Sequence, residues 1–327
     1  MTARVTAQFV VGCGANDGLG HLRRCLVLAD ALRAQGALCC FHLDEANCRE
    51  MAAQRGHEVS TCLTDITAPP AADLLIGDAK WIDWGISEAW ARSGRFAARL
   101  IIDDMGNRPV TADLLLNHNI YGAAVDYAHY RAPEILSGPR HSLIDAQWLA
   151  LRETPRAQPR ALISFGATDD GSKGAAVAKL LLARAPDLRL DLIIAPVARP
   201  APAVQQQLED MTRDWPHRLT VWRGADMRQR MADATLYVGA AGVTALEATA
   251  AGLNLVLCGH GDDQDINIAA FSQLGVSADT GFDPERMAAA TQRAMTAPQP
   301  PALAHALDGL GPQRVAARLM QLCDDRE

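Results

Sequence analysis

The 327 residues predict an α/β protein made of two Rossmann-like halves, each with a parallel sheet. Three observations carry this expectation. Short apolar runs alternate with segments of helical period along most of the chain. Several of the runs end in polar or glycine-dense residues, where open parallel sheets hold their ligands. A charged, proline-bearing stretch at 152–160 reads as a linker and divides the series, giving domains at 1–155 and 156–327 with a ligand cleft expected between them. Hydrophobic residues make up 49% of the chain and supply a core. The 31 Lys and Arg against 38 Asp and Glu leave a net charge of −7, which argues against a broad nucleic-acid-binding surface.

In the first half, strands are expected at 5–11, 37–42, 73–77, 99–102 and 113–116. The helix at 21–35 puts Leu22, Cys25, Leu26, Ala29 and Leu32 on one stripe and Arg23, Asp30 and Arg33 off it, and Gly36 closes it. The later strands run into Asp78, into Asp103 with Asp104, and into Asn117 with Asn119. In the second half, strands are expected at 161–165, 188–195, 219–222, 235–238 and 254–258. Helices fall near 172–185, 202–213, 226–232, 243–251 and 264–274. A proline-rich break at 297–301 precedes a last helix near 313–322, a candidate to pack back on the N-terminal domain.

Eight cysteines form no C-x-x-C pair and lie mostly in apolar segments, as expected of buried free thiols in a reducing compartment. Residues 1–11 carry one arginine and no long apolar core, so no signal peptide is expected. No stretch approaches the roughly 18 to 20 apolar residues of a membrane helix. The expectation is a soluble cytoplasmic protein of unspecified oligomeric state, with no nucleic-acid partner and no membrane insertion.

Three constellations can carry chemistry. The first is the glycine-dense loop 12–20, which delivers His21 to a helix start. The dipole there disfavours the imidazolium and keeps a neutral general base near pH 7. Spacing alone leaves two readings open: His21 as a base, or as a cap on a tightly packed loop. Asp17 stands where a third dinucleotide-loop glycine belongs, so a dinucleotide site is not expected. The second is the turn Phe165, Gly166, Ala167, Thr168, Asp169, Asp170, Gly171, Ser172, which equally suits a plain turn with Ser172 or Asp170 as N-cap. The third runs from Gly239 through Ala241, Gly242, Val243 and Thr244 to Glu247. It suits a diphosphate on backbone amides, or a capping box of Thr244 with Glu247.

Other signals have structural explanations. Asp263, Gln264 and Asp265 read as a helix cap and not as a metal site. The remaining histidines lack zinc-ligand spacing, so no metal is expected. Trp81, Trp84 and Trp90 read as packing residues.

The string from Gly18, Gly20 and His21 through Arg24 to Leu32 closely resembles the N-terminal signature of the PseG-type UDP-sugar hydrolases of pseudaminic acid biosynthesis, relatives of the MurG-type GT-B glycosyltransferases. The likeness continues through Ile101 to Asp104, Asp113 to Asn119, Gly138 to Arg140, Leu162 to Asp169, the turn from Gly239 to Glu247, and Gln264 with Asn267.

The resemblance implies a GT-B architecture and hydrolysis of a UDP-activated deoxy amino sugar, UDP-2,4-diacetamido-2,4,6-trideoxy-β-L-altropyranose in the family. Water inverts the anomeric carbon and UDP leaves, with no cofactor and no metal. It implies His21 as general base and Gly18, Gly20, Arg24, Asp104 and Asn119 as further substrate-side positions. Gly166, Ala167, Thr168 and Asp169, together with Ala241, Gly242, Val243 and Thr244, would line the diphosphate. Glu247 would take the ribose hydroxyls, and Gln264 with Asn267 would face sugar or phosphate. The chain departs from the family at Val10 and Gly12, where an arginine and an acidic residue are usual, and at 78–84, where a D-H-Y-like string is replaced. A different sugar is therefore expected. A glycosyltransferase with the same donor site and a binding protein that has lost catalysis remain alternatives.

Overall fold

The computed structural model describes residues 4–325 apart from 15, 16, 18, 44, 62, 167, 168, 197, 260–264 and 298. It divides into two compact units, Met1–Asp145 with Gly309–Glu327, and Ala146–Asp308. The first contains β1 (Thr6–Val11), α1 (Gly20–Ala34), β2 (Leu38–His42), α2 (Ala46–Gln54), β3 (Glu58–Ser60), β4 (Leu74–Asp78), α3 (Trp84–Arg92), β5 (Ala98–Ile102), β6 (Leu114–Asn117) and β7 (Glu134–Ser137). The second contains β8 (Arg160–Ser164), α4 (Ser172–Arg184), β9 (Arg189–Ile194), α5 (Pro202–Asp214), β10 (Leu219–Arg223), α6 (Met227–Asp233), β11 (Leu236–Ala240), α7 (Val243–Ala250), β12 (Asn254–Cys258), α8 (Asp265–Gln273), β13 (Ser277–Asp279), α9 (Pro284–Ala294) and α10 (Pro301–Ala304). The last helix, α11 (Gly311–Asp324), belongs to the first unit.

Every named strand pairing is parallel. Among the described residues the first sheet runs β3-β2-β1-β4-β5-β6-β7 and the second β10-β9-β8-β11-β12-β13. Strand order reverses between β1 and β4 in one unit and between β8 and β11 in the other. Such a reversal opens a crevice at the carboxyl ends of the strands. The central strands are apolar on both faces, as a sheet covered by helices requires. All five residues of β4 are buried.

α1 buries the expected stripe of Leu22, Cys25, Leu26, Ala29 and Leu32, and one charged residue with it, Arg24. α11 adds Val315, Ala316, Leu319 and Cys323 to the same core. Its entry needs glycine, because a Cβ on Gly311 would lie 2.1 Å from the Ser142 carbonyl oxygen.

Several expectations are corrected. The edge strands β3, β7 and β13 carry no apolar run because their residues are mostly half-buried or exposed, and so they escaped a reading based on such runs. The helices α2, α3 and α9 were also missed. The stretch at 152–160 is not a free linker: residues 146–153 form a 3-10 helix. Arg152 Nε donates to the Ala250 carbonyl and Arg156 Nη2 to that of Ala251, which ties the segment to the C-terminal end of α7. Trp90 is buried, but Trp81 is 39% exposed and Trp84 lies under the Arg131 guanidinium, 4.6 Å away. Cys25, Cys39, Cys48, Cys258 and Cys323 are buried free thiols, whereas Cys13 and Cys40 are half-buried; Cys62 lies outside the described residues.

Candidate active site

In the first unit the polar ends of three neighbouring strands, β4, β5 and β6, converge on the guanidinium of Arg24. The loop leaving β1 is tied to the end of β4 by Gly12 N donating to the Asp78 carbonyl at 2.9 Å. Gly14 has φ +106°, and a Cβ there would meet Glu45 Cγ at 2.5 Å, so this turn requires glycine. α1 then starts with Leu19 as N-cap and no side-chain cap bond, so His21 does not cap the helix. His21 and Arg24, three residues apart, share one helix face.

His21 Nδ1 lies 2.6 Å from Asp78 Oδ1 and 2.9 Å from Arg24 Nη2. A single ring nitrogen cannot both donate to the carboxylate and accept from the guanidinium. The shorter contact, to a fully buried carboxylate, assigns the proton to Nδ1 and leaves Nε2 as a lone-pair base. Arg24, 3% exposed, donates from Nε to Asp78 Oδ2 and from Nη2 to Asp78 Oδ1, both at 2.6 Å. Its Nη1 donates to both Asp104 oxygens at 2.8 Å and to His118 Nε2 at 2.7 Å. An arginine has no acceptor, so His118 is neutral with its proton on Nδ1.

The electrostatics agree with these assignments. Burial alone would raise the Asp78 pKa, but Arg24 and His21 beside it hold the carboxyl well below the usual carboxylate range. Asp104 is likewise lowered, burial being outweighed chiefly by Arg24. Arg24 is raised in turn, Asp104 and Asp78 outweighing the cost of burial. Burial and the Arg24 charge push His118 down to about 3.

A second layer fixes Asp104. Asn119 Nδ2 donates to its Oδ1 at 2.7 Å, and Asn117 Nδ2 and the Tyr121 hydroxyl donate to its carbonyl at 3.0 and 2.8 Å. The Tyr130 hydroxyl donates to Asp103 Oδ2, and Tyr127 to the Asp103 carbonyl.

The second unit repeats the arrangement around β8 and β11 with backbone instead of charge. Gly239 allows the two strands to pack, since a Cβ on it would lie 1.8 Å from the Ser164 carbonyl oxygen. Gly166, at φ +92°, and Gly242 face open space. Buried Asp169 accepts from Gly171 N at 2.8 Å, and Asp170 Oδ1 from Ser172 N at 2.9 Å. The cap position of α4 is thus Gly171, in a left-handed conformation, and not Ser172 or Asp170.

α7 begins at Val243 with Gly242 as N-cap and no side-chain cap bond. The expected capping box is therefore absent: the helix starts too early for Thr244 to be its cap, and Thr244 and Glu247 both lie within it. Val243 and Thr244 lie in the first turn, where helix amides have no acceptor within the helix. Glu247 and Asn267 are buried, and Asn267 Oδ1 has no hydrogen-bond partner. Gly18, Ala167, Thr168 and Gln264 lie outside the described residues.

Of the predicted positions, His21, Arg24, Asp104 and Asn119 join one cluster, and Gly166, Asp169, Ala241, Gly242, Val243 and Thr244 border the switch point of the second sheet. Asp78 and His118 were not singled out as site residues, and the strand-end position of Asp78 was the signal available. Among the described residues no group of three or more His, Cys, Asp or Glu is placed to hold a metal ion, and no helix is long and apolar enough to cross a membrane.

No family model and no curated protein matches the chain. Solved structures match along nearly its whole length. The glycotransferase of kitacinnamycin shares 16% identity at a TM-score of 0.61, covering 100% of this chain and 99% of that one. MurG of Acinetobacter baumannii shares 17% at 0.58, covering 97% and 99%. Arabidopsis thaliana UGT89C1, solved with UDP, shares 12% at 0.67, covering 98% and 100%. The chain has the GT-B fold. Its two sheets are the two Rossmann-like sheets of that fold, and both clusters described above lie at the strand ends where GT-B sheets reverse order.

Proposed function

We propose that this GT-B chain acts on a nucleotide-activated sugar and hydrolyses it at the anomeric carbon, releasing UDP and the inverted free sugar. The reading extends to a PseG-type role in nonulosonic acid biosynthesis. The observation that carries it is the His21–Asp78 pair, whose geometry leaves Nε2 unprotonated on a side chain 12% exposed.

Water attacks one face of the anomeric carbon and gives its proton to His21 Nε2. The C–O bond to the diphosphate breaks on the other face, and its electron pair leaves with UDP. Asp78 holds the ring in register and stabilises the imidazolium, while Arg24 holds Asp78 and Asp104 in place. The open first turn of α7 and the turn at Gly166 suit the charge gathering on the departing diphosphate. That focused backbone site accommodates an anionic substrate on a protein of net charge −7.

Val10 is 2% exposed in the apolar core and Gly12 is bonded to Asp78, so neither offers the arginine or the acid usual in the family. This supports a sugar different from the family's. Removal of the base by His21→Ala tests the proposal: hydrolysis should be lost with UDP binding retained.

A second reading, transfer of the sugar to an acceptor hydroxyl by the same base, is favoured by the likeness to glycosyltransferases along 97–100% of this chain. UDP release without any acceptor separates the two.

A further inference from the structure

β1 and β2 run side by side and parallel, with Val10 opposite His42, so the loop leaving β1 meets the segment that enters α2. The approach is close: a Cβ on Gly14 would lie 2.5 Å from Glu45 Cγ, and Glu45 is the N-cap of α2. Two thiols meet here, Cys13 from the loop and Cys48 from the first turn of the helix. Cys48 is buried in the core of the first unit, and half-buried Cys13 packs against that core. Their side chains are hydrogen-bonded to each other. That bond raises the Cys13 thiol and lowers that of Cys48, so Cys13 S–H donates and Cys48 Sγ accepts. The helix start also favours a thiolate on Cys48, and the Arg49 charge acts in the same direction. Cys25, Cys39, Cys40 and Cys258, by contrast, are raised chiefly by burial.

We propose that Cys13 and Cys48 are a redox couple, which a hydroperoxide converts reversibly to a disulfide that pins the loop leading to His21 onto the start of α2. Sulfurs already in hydrogen-bond contact have only to close to about 2.05 Å. The peroxide meets the half-buried member, Cys13, first. Cys13 passes its proton along the hydrogen bond to Cys48, and the Cys13 thiolate attacks one peroxide oxygen. An S–O bond forms, the O–O bond breaks, and the leaving hydroxide or alkoxide takes a proton from water. Cys48 Sγ then attacks Cys13 Sγ: the S–S bond forms, the S–O bond breaks, and the hydroxyl departs as water with the Cys48 proton. Two thiols are oxidised and one peroxide is reduced. A dithiol reductant reopens the bond by exchange. Gly12, beside Cys13, is already bonded to the Asp78 carbonyl, so the disulfide would hold this loop at both β4 and α2.

The test needs no substrate and stands apart from the hydrolase reading. The reduced full-length protein is treated with hydrogen peroxide, its remaining thiols are blocked with N-ethylmaleimide, and peptides are mapped by mass spectrometry without reduction. The peptide of Cys13 should be joined to that of Cys48 with the loss of two hydrogens, and dithiothreitol should restore both thiols. Cys40, also half-buried, is the internal control, and Cys13 should be consumed about tenfold faster or more. Cys48→Ser should leave a sulfenic acid on Cys13 that dimedone captures, and Cys13→Ala should leave Cys48 a thiol. Circular dichroism checks folding; should Cys48→Ser misfold, the wild-type map and Cys13→Ala carry the test. Equal consumption of Cys13 and Cys40, a link from Cys13 to another cysteine, over-oxidation of Cys13 without a link, or a link that dithiothreitol does not open overturns the proposal.

Discussion

His21 Nδ1 stands 2.6 Å from Asp78 Oδ1, and the same carboxylate takes two more hydrogen bonds from Arg24. The pair links the helix after β1 to the last residue of β4, across the reversal of strand order. Substituting Asp78→Asn keeps the shape but removes the carboxylate that fixes the ring's tautomer and orientation. Turnover should fall by about 10²- to 10⁴-fold, with UDP affinity unchanged. Steady-state kinetics beside UDP titration calorimetry check this, and an unchanged kcat would count against the dyad.

Arg24 is a structural keystone as well as a positioning group. Its removal leaves Asp78 and Asp104 as neighbouring carboxylates, the first fully buried, with no cation between them. Arg24→Met should cost about 3–5 kcal/mol of stability. Arg24→Lys should recover little of it, since an ammonium cannot reproduce the fork that engages both carboxylates and His118. Denaturant unfolding followed by circular dichroism gives both numbers.

Acid should unfold the first unit early. The folded pKa of His118 is about 3, against an ordinary 6.5. Between those values the unfolded chain binds a proton that the folded chain refuses, so stability is fully present above pH 6.5 and falls as pH drops toward 3. Asp78 acts in the same direction at lower pH. Its folded pKa is depressed, so its contribution is present above the unfolded carboxylate value and is lost as pH falls through the folded one. Denaturation midpoints measured against pH should slope downward across this window, and His118→Gln should flatten the upper part of the slope.

Two glycines of the second unit separate folding from binding. Gly239→Ala forces a Cβ to 1.8 Å from the Ser164 carbonyl oxygen, a backbone clash that should destabilise the unit by several kcal/mol. Gly242→Ala meets nothing within 4 Å and has an ordinary negative φ, so thermal stability should hold. UDP affinity should nonetheless fall, by about tenfold, if α7 receives the diphosphate. Thermal shift with and without UDP distinguishes the two.

The C-terminal helix belongs energetically to the first unit. Deleting 309–327 removes Val315 and Leu319 from the core they share with α1, each large apolar side chain being worth roughly 1.5–3 kcal/mol. Limited proteolysis of the truncated chain should cut the first unit and spare the second.

Central strands were legible in the sequence because burial on both faces makes them continuous apolar runs, as in β4 and β12. The half-exposed edges β3, β7 and β13 have no such pattern. His21 was legible from its glycine loop, a local signal. Its partner was not, because Asp78 lies 57 residues away, and His118 meets Arg24 across 94 residues. Only the strand order brings them together. Arg24 looked like a substrate contact from the signature string, whereas its guanidinium is enclosed by Asp78, Asp104 and His118. Thr244 and Glu247 had the spacing of a capping box, but the N-cap of α7 is Gly242, two residues before Thr244, so both fall inside the helix.

The most direct test of the central claim is acceptor-free release of UDP from a panel of UDP-activated deoxy amino sugars, with the anomer of the freed sugar followed by proton NMR. The account predicts stoichiometric UDP with an inverted anomer first formed by the wild-type protein, and loss of that reaction by a factor of about 10² or more in His21→Ala. Full hydrolysis by His21→Ala, or UDP release only when an acceptor is supplied, would contradict it.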